Sequence, residues 1–227
     1  MSFVERIAAL VDLSAVKADS DEAEIQALVE LALMYHPFAV FSLPCFTERL
    51  VELLADSPSI LIGGVVGFPS GGHTSQMKVV EAEELVRFGC KELDMVINIG
   101  WLRSGRHPDV LADIKAVVEA GDGIPVKVIL ETGCLTREQI STASLLCVEA
   151  GATFVKTGTG WGATKTTVED IRAIKAAVGD SAGIKAAGGV GELSSLLQMR
   201  EAGATRFGIG VRSARSIFEA CDRDKQT

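Results

Sequence analysis

The sequence predicts a single (β/α)8 (TIM) barrel spanning residues 1–227 and opened by a short N-terminal helix. Three observations predict it. Short β-like runs alternate without a break with amphipathic helical stretches, eight of each. The repeating units measure roughly 22 to 33 residues, the size of a strand, a helix and two loops. Finally, Lys127, Lys156 and Lys185 recur at intervals of 29 residues, each inside a short apolar run, which places a lysine at similar heights on three successive strands. A doubly wound open sheet is the rival fold, but it would usually carry a GxGxxG turn after its first strand. Here that strand ends in LSAVKADS.

The elements follow in order. A first turn of helix at Phe3 to Leu10 precedes strands expected near LVDLS, FAVFS, SILIGGVVG, ELDMVIN, PVKVIL, TFVKTG, AGIKAAG and TRFGIG. Helical periodicity covers 21–34, 47–55, 74–88, 108–120, 136–150, 167–178 and 192–202, with a last helix after Ser213. Asp21 and Thr136 stand at N-cap positions, with Glu24 and Gln139 three residues later as capping-box partners, and Pro108 suits a first helical turn. Gly89, Gly121, Gly151, Gly179 and Gly203 fall where helices need a left-handed residue to close. No linker, low-complexity stretch or second domain interrupts the series.

Composition narrows the function classes. With 227 residues, 48% of them hydrophobic, the chain can bury one large core. Its apolar runs are shorter than the roughly 18 to 20 residues of a membrane span, so no membrane association is expected. The start, MSFVERIAALVDLS, carries Glu5 and Arg6 and lacks the apolar region of a signal peptide, so a cytoplasmic location is expected. A net charge of −8 without a basic stripe argues against nucleic-acid binding. The five cysteines form no CxxC pair, and His36, His73 and His107 share no ligand spacing, so neither a disulfide framework nor a metal site is expected. No helix presents an obvious apolar outer stripe, which leaves the oligomeric state open, a homo-oligomer included.

The lysines carry the chemical signal. Lysine is among the residues least often buried without a partner, and three facing one interior are costly through desolvation and mutual repulsion. Schiff-base chemistry supplies a reason for that cost: an amine must be neutral to attack a carbonyl, and a neighbouring ammonium favours the neutral form. In a (β/α)8 barrel such chemistry belongs at the C-terminal ends of the strands. Strand alternation puts Glu92, Asp94, Val96 and Asn98 on one face, Lys127, Ile129 and Glu131 on another, and Phe154 with Lys156 on a third. If these faces are the interior, one cavity holds Asp94, Lys127, Lys156 and Lys185, with Asp12 or Glu131 near its rim. Lys127 also reads as the buried partner of Asp94 or Glu131 in a scaffold ion pair. Trp161 and Phe68 read as lid or pocket wall, and His73 as a polar turn residue.

The segments GFPSG (67–71), ELDMVIN (92–98), VKVILETG (126–133), FVKTGTGW (154–161) and GIKAAGGV (183–190) resemble, in order and spacing, the signature segments of the deoxyribose-phosphate aldolases. The piece GGHTSQMKVVEAEE resembles that family's loop and helix after the third strand. The resemblance implies a cofactor-free class I aldolase with a (β/α)8 fold that cleaves 2-deoxyribose 5-phosphate reversibly to glyceraldehyde 3-phosphate and acetaldehyde. It implies Lys156 as the Schiff-base lysine, Lys185 as the second lysine that keeps the first nucleophilic and handles protons, and Asp94 as the aspartate working through water. Lys127 is implied as a supporting lysine bonded to acidic partners. Asp12, Thr159, Gly160, Gly188, Gly189, Gly210 and Arg212 are the expected substrate and phosphate contacts.

The chain departs from the family in places. Ser14 and Val16 stand where Thr and Leu are usual, and Phe41 where a cysteine is common, a change that leaves imine chemistry intact. At the phosphate end, Gly191 stands where the family has Arg, and the run Gly208-Ile209-Gly210-Val211-Arg212-Ser213 replaces Gly-Thr-Ser or Gly-Ala-Ser. Arg212, Ser213 or Arg215 is expected to supply the missing charge. Two alternatives therefore stand beside the aldolase: an imine-forming aldolase of the same fold with a non-phosphorylated or different aldehyde acceptor, and a non-catalytic sugar-phosphate-binding barrel.

Overall fold

The computed structural model describes residues 1–223. Eight parallel strands close into a barrel in chain order: β1 (Val11–Ala15), β2 (Ala39–Ser42), β3 (Leu61–Val66), β4 (Glu92–Val96), β5 (Val126–Ile129), β6 (Phe154–Lys156), β7 (Gly183–Ala187) and β8 (Arg206–Gly210), with β8 pairing back onto β1. Around them run α1 (Phe3–Ala8), α2 (Glu22–Tyr35), α3 (Thr47–Leu53), α4 (Ser75–Phe88), α5 (Ile99–Arg103), α6 (His107–Ala120), α7 (Arg137–Glu149), α8 (Val168–Val178), α9 (Leu193–Glu201) and α10 (Val211–Arg223). Among the described residues no helix is long and apolar enough to cross a membrane.

The main core lies between strands and helices. Leu13, Val40, Leu93, Met95, Val128, Val155, Ile184 and Phe207 point outward from the strands into a layer with Leu28, Leu85, Ile114 and Ile171 from the helices. Each such side chain contributes on the order of 1.5–3 kcal/mol when fully buried. Strand alternation turns the intervening residues into the barrel. On β2 and β3 these are apolar (Ala39, Phe41, Val65), whereas β1, β4, β5 and β7 bring in Asp12, Asp94, Lys127 and Lys185.

The cap signals hold with two corrections. Thr136 and Gln139 close a reciprocal capping box on α7. Asp21 caps α2 by accepting from the Glu24 N–H, but the Glu24 carboxylate turns to the Ser20 hydroxyl at 2.6 Å and leaves the box half made. Gly89, Gly151, Gly179 and Gly203 have positive φ, whereas Gly121 is right-handed at φ −67°. After α6 the left-handed positions fall to Asp122 and Gly123, because the chain makes one more turn, closed by Ile124 N–H to Gly121 O at 3.1 Å.

Two helices differ from expectation. Helix α5 shows no periodicity at five residues and exists because the Asn98 side chain accepts the Trp101 N–H. Helix α10 starts at Val211 rather than after Ser213, leaving β8 directly, so Arg212 and Ser213 sit in its first turn.

The lysines are not all level. Lys156 opposes Lys185 in the β6–β7 register, but Lys127 opposes Phe154, two residues before Lys156. A barrel closes only with a fixed shear between strands, so equal spacing in sequence does not give equal height.

The frame under β4 is tied down from outside. Lys78 of α4, fully buried, donates to Asp113 of α6 at 2.6 Å and to the carbonyl of Val96 at 2.9 Å. Ser75 donates to the other Asp113 oxygen at 2.7 Å. The Glu81 carboxylate accepts the Gly67 N–H at 2.6 Å and fixes the loop after β3.

Candidate active site

A cavity of about 380 Å³ opens at the C-terminal ends of the strands. Four of the sequence-predicted residues meet at or beneath it. Asp94 Oδ2 accepts from Lys156 Nζ at 2.7 Å and from Lys185 Nζ at 2.6 Å, while Asp94 Oδ1 lies 3.2 Å from Lys127 Nζ. Exposure grades them: Lys127 is fully buried, Lys185 is 1% exposed, and Lys156 reaches 7% at the cavity.

Beneath this layer the cluster continues. Lys127 donates to Glu92 at 2.6 Å, and Arg206 reaches Asp12 at 2.9 Å and Glu92 at 3.3 Å. Asp12 was expected near the rim; instead it lies fully buried, 2.5 Å from Lys185 and 3.5 Å from Lys127. It lines the cavity together with Gly208, the residue opposite it on β8. Glu131, the other rim candidate, does stand high, but it turns from the lysines. In a left-handed conformation (φ 56°), it accepts the Thr159 N–H at 3.1 Å and the Thr159 hydroxyl, and so clamps the loop that follows Lys156.

The electrostatics follow from burial and partners. Burial pushes the Lys185 amine down, its two carboxylates only partly compensate, and Lys156 and Lys127 add to the depression, so that it falls to about 8. For Lys127 burial works the same way, but Asp94, Asp12 and Glu92 outweigh it and hold the ammonium above the ordinary lysine range. For Asp94 burial alone would favour the acid, yet Lys127, Lys156 and Lys185 keep the carboxyl well below the usual carboxylate range. Asp12 is likewise held low by Lys185, Lys127 and Arg206 against its own burial.

The mouth is built from loops. Thr159, Gly160, Gly188, Gly189, Gly210, Arg212 and Ser213 line it as expected, and Arg215 does not. Gly188 and Gly189, at φ 90° and 99°, adopt a backbone that other residues rarely take. The Lys165 chain lies against Gly189, where a Cβ would come within 2.6 Å of Lys165 Cγ. Lys165 and Lys17 thus join Arg212 as cations lining the cavity. Trp161 forms a wall: its indole N–H donates to the Val16 carbonyl at 2.7 Å, and its ring meets Phe68 edge-on at 6.0 Å. Lys165 and Lys17 lie on loops and gave no periodic signal. Arg206 was missed as well, although strand alternation puts it on the same face of β8 as Gly208 and Gly210. Among the described residues, no group of three His, Cys, Asp or Glu is placed to hold a metal ion.

Comparison with known proteins agrees with the fold. The DeoC/LacD family aldolase profile matches residues 6–220. A deoxyribose-phosphate aldolase of Sinorhizobium medicae is 46% identical over 215 residues, covering 95% of this chain and 87% of its own. Among solved structures, QR15, an aldolase, superposes with a TM-score of 0.90 at 32% identity over 97% of each chain. The tetrameric deoxyribose phosphate aldolase of Aeropyrum pernix gives 0.87 at 26% identity, covering 96% of this chain and 92% of that one. A barrel whose interior gathers three lysines on one aspartate, matched along nearly its whole length, belongs to the DeoC/LacD family of aldolases.

Proposed function

We propose that this chain, acting as one barrel domain, is a class I aldolase that cleaves 2-deoxyribose 5-phosphate reversibly to glyceraldehyde 3-phosphate and acetaldehyde. The observation that carries the reading is the pair of amines on Asp94 Oδ2, one of which, Lys156, reaches the cavity. The relatives named for this activity support the substrate.

Lys156 is the nucleophile. Its neutral amine adds to the C1 aldehyde, and loss of water leaves a protonated iminium. The two products, a two-carbon and a three-carbon aldehyde, fix the broken bond as C2–C3. Its electron pair moves into the iminium to give an enamine as the C3 hydroxyl loses its proton and becomes the carbonyl of the departing aldehyde. The enamine carbon then takes a proton, and water releases acetaldehyde and the free amine.

Lys185 is the group whose proton is in play, because a base near 8 both gives and takes protons at neutral pH. Asp94, held below the usual carboxylate range by the three lysines, positions both amines, offsets the iminium charge and passes protons through water. Lys127 keeps Asp94 and Glu92 in place from below.

The phosphate is received at the mouth by the first turn of α10, by the backbone of Gly188 and Gly189, and by Lys165 or Arg212 in place of the family's arginine. Incubation with acetaldehyde and borohydride tests the assignment: mass spectrometry should find the reduced adduct on Lys156. An adduct on Lys185, or none, rejects the nucleophile named here.

A further inference from the structure

The charged cluster inside the barrel is one carboxylate short. Among the described residues, Lys127, Lys156, Lys185 and Arg206 meet only Asp12, Glu92 and Asp94 within ion-pair distance, so four cations face three anions. A buried cation without full compensation is costly. What stands in the remaining places is aromatic. The Phe41 ring centroid lies 4.2 Å from Lys185 Nζ and 4.8 Å from Lys127 Nζ, and the Arg206 guanidinium lies 3.4 Å from the Phe38 ring and 5.4 Å from that of Phe154. The face of a benzene ring is the negative end of its quadrupole and attracts a cation at such distances.

Phe41 differs from the other two rings in lining the cavity. It is 2% exposed, and it is held in place by an absence: a Cβ at Gly63 on the next strand would lie 2.1 Å from its Cζ. The ring therefore fills the space over Gly63 and turns toward the two lysines.

Resting on the assignment of Lys185 as proton carrier, we propose that Phe41 is a positioning residue of the reaction: its ring holds the Lys185 ammonium and sets how readily that lysine gives up its proton. Charged groups face Lys185 from the other strands. Asp12 of β1 and Asp94 of β4 favour its ammonium, while Lys127 of β5 and Lys156 of β6 oppose it. Arg206 of β8 adjoins the group through Asp12. The ring acts in the same sense as the carboxylates, so weakening it lowers the pH at which Lys185 loses its proton.

The test leaves shape almost unchanged and removes the quadrupole. Phe41 is replaced site-specifically by 4-fluoro-, 3,5-difluoro- and 3,4,5-trifluorophenylalanine, with Phe41→Leu as the ringless limit. The pH profile of deuterium uptake by the acetaldehyde methyl group is then measured in each. The inflection should move downward stepwise with each fluorine, by roughly half to one and a half pH units across the series. An inflection that stays within about 0.2 unit of wild type in both the trifluoro and Leu proteins overturns the role of Phe41. A wild type that neither exchanges deuterium nor is trapped by borohydride overturns the aldolase reading, and this proposal with it.

Discussion

Lys156 and Lys185 stand opposite each other in the β6–β7 register and donate to the same oxygen, Asp94 Oδ2, at 2.7 and 2.6 Å. Two ammonium groups on one carboxylate oxygen repel each other, and Asp94 can neutralise only one. That repulsion contributes to the lowering of the Lys185 amine, beside the Lys156 nucleophile.

Removing the nucleophile separates chemistry from folding. Lys156→Ala should abolish borohydride trapping and lower aldol cleavage by roughly 10⁴-fold or more, as when one member of a catalytic unit is deleted. Its thermal midpoint should not fall, since one cation leaves a cluster that has one too many. Residual cleavage above that level would assign the imine to another residue.

Removing the proton carrier changes the pH response. The wild-type kcat profile should bend near pH 8, where Lys185 titrates. Lys185→Met should lose that inflection and roughly 10²- to 10⁴-fold in rate while remaining trappable through Lys156. A profile in Lys185→Met that keeps its bend near 8 would place the titration elsewhere.

Acid should unfold the barrel through its interior. Asp94 and Asp12 are held below the ordinary carboxylate range in the fold. Such groups add stability that is in place above their unfolded pKa of about 3.9 and is lost as pH falls through it toward the folded value. Denaturant titrations of wild type should show stability falling steeply below about pH 4. Asp94→Asn should cost roughly 3–5 kcal/mol at pH 7, by leaving buried cations uncompensated, and should flatten the acid slope. An equally steep slope in Asp94→Asn would shift the linkage to other carboxylates.

The phosphate end is tested with two substrates. Lys165→Ala or Arg212→Ala should raise KM for deoxyribose 5-phosphate by roughly 10- to 100-fold, the value of a charge-assisted contact, and leave unphosphorylated deoxyribose nearly unaffected. Arg215→Ala should change neither, because that side chain is not at the cavity. Should wild type prefer the phosphate by less than about tenfold, the acceptor is not a phosphosugar.

The barrel was legible because its evidence is local. Periods of 2 and 3.6 alternate eight times, and the same strand alternation gathers Asp94, Lys127, Lys156 and Lys185. What sequence could not supply was register and loop path. The burial of Asp12 depends on the cations that three other strands bring around it, and the offset of Lys127 on barrel shear. Lys165 reaches the mouth only because its chain crosses Gly189. The tie from Lys78 to Asp113 and Val96 joins three elements and has no sequence period at all.

Gly63 and Phe41 share one volume, since the ring occupies the place a side chain on Gly63 would need. The two positions are therefore not free to vary independently. A lineage can acquire phenylalanine at 41 only on a background that already has glycine at 63, and once the ring is in place the glycine cannot be replaced without first surrendering the ring. The order of those two changes is set by sterics, and reversing it in the laboratory, by placing alanine at 63 before shrinking residue 41, should destabilise the barrel by roughly 1–3 kcal/mol while the opposite order does not.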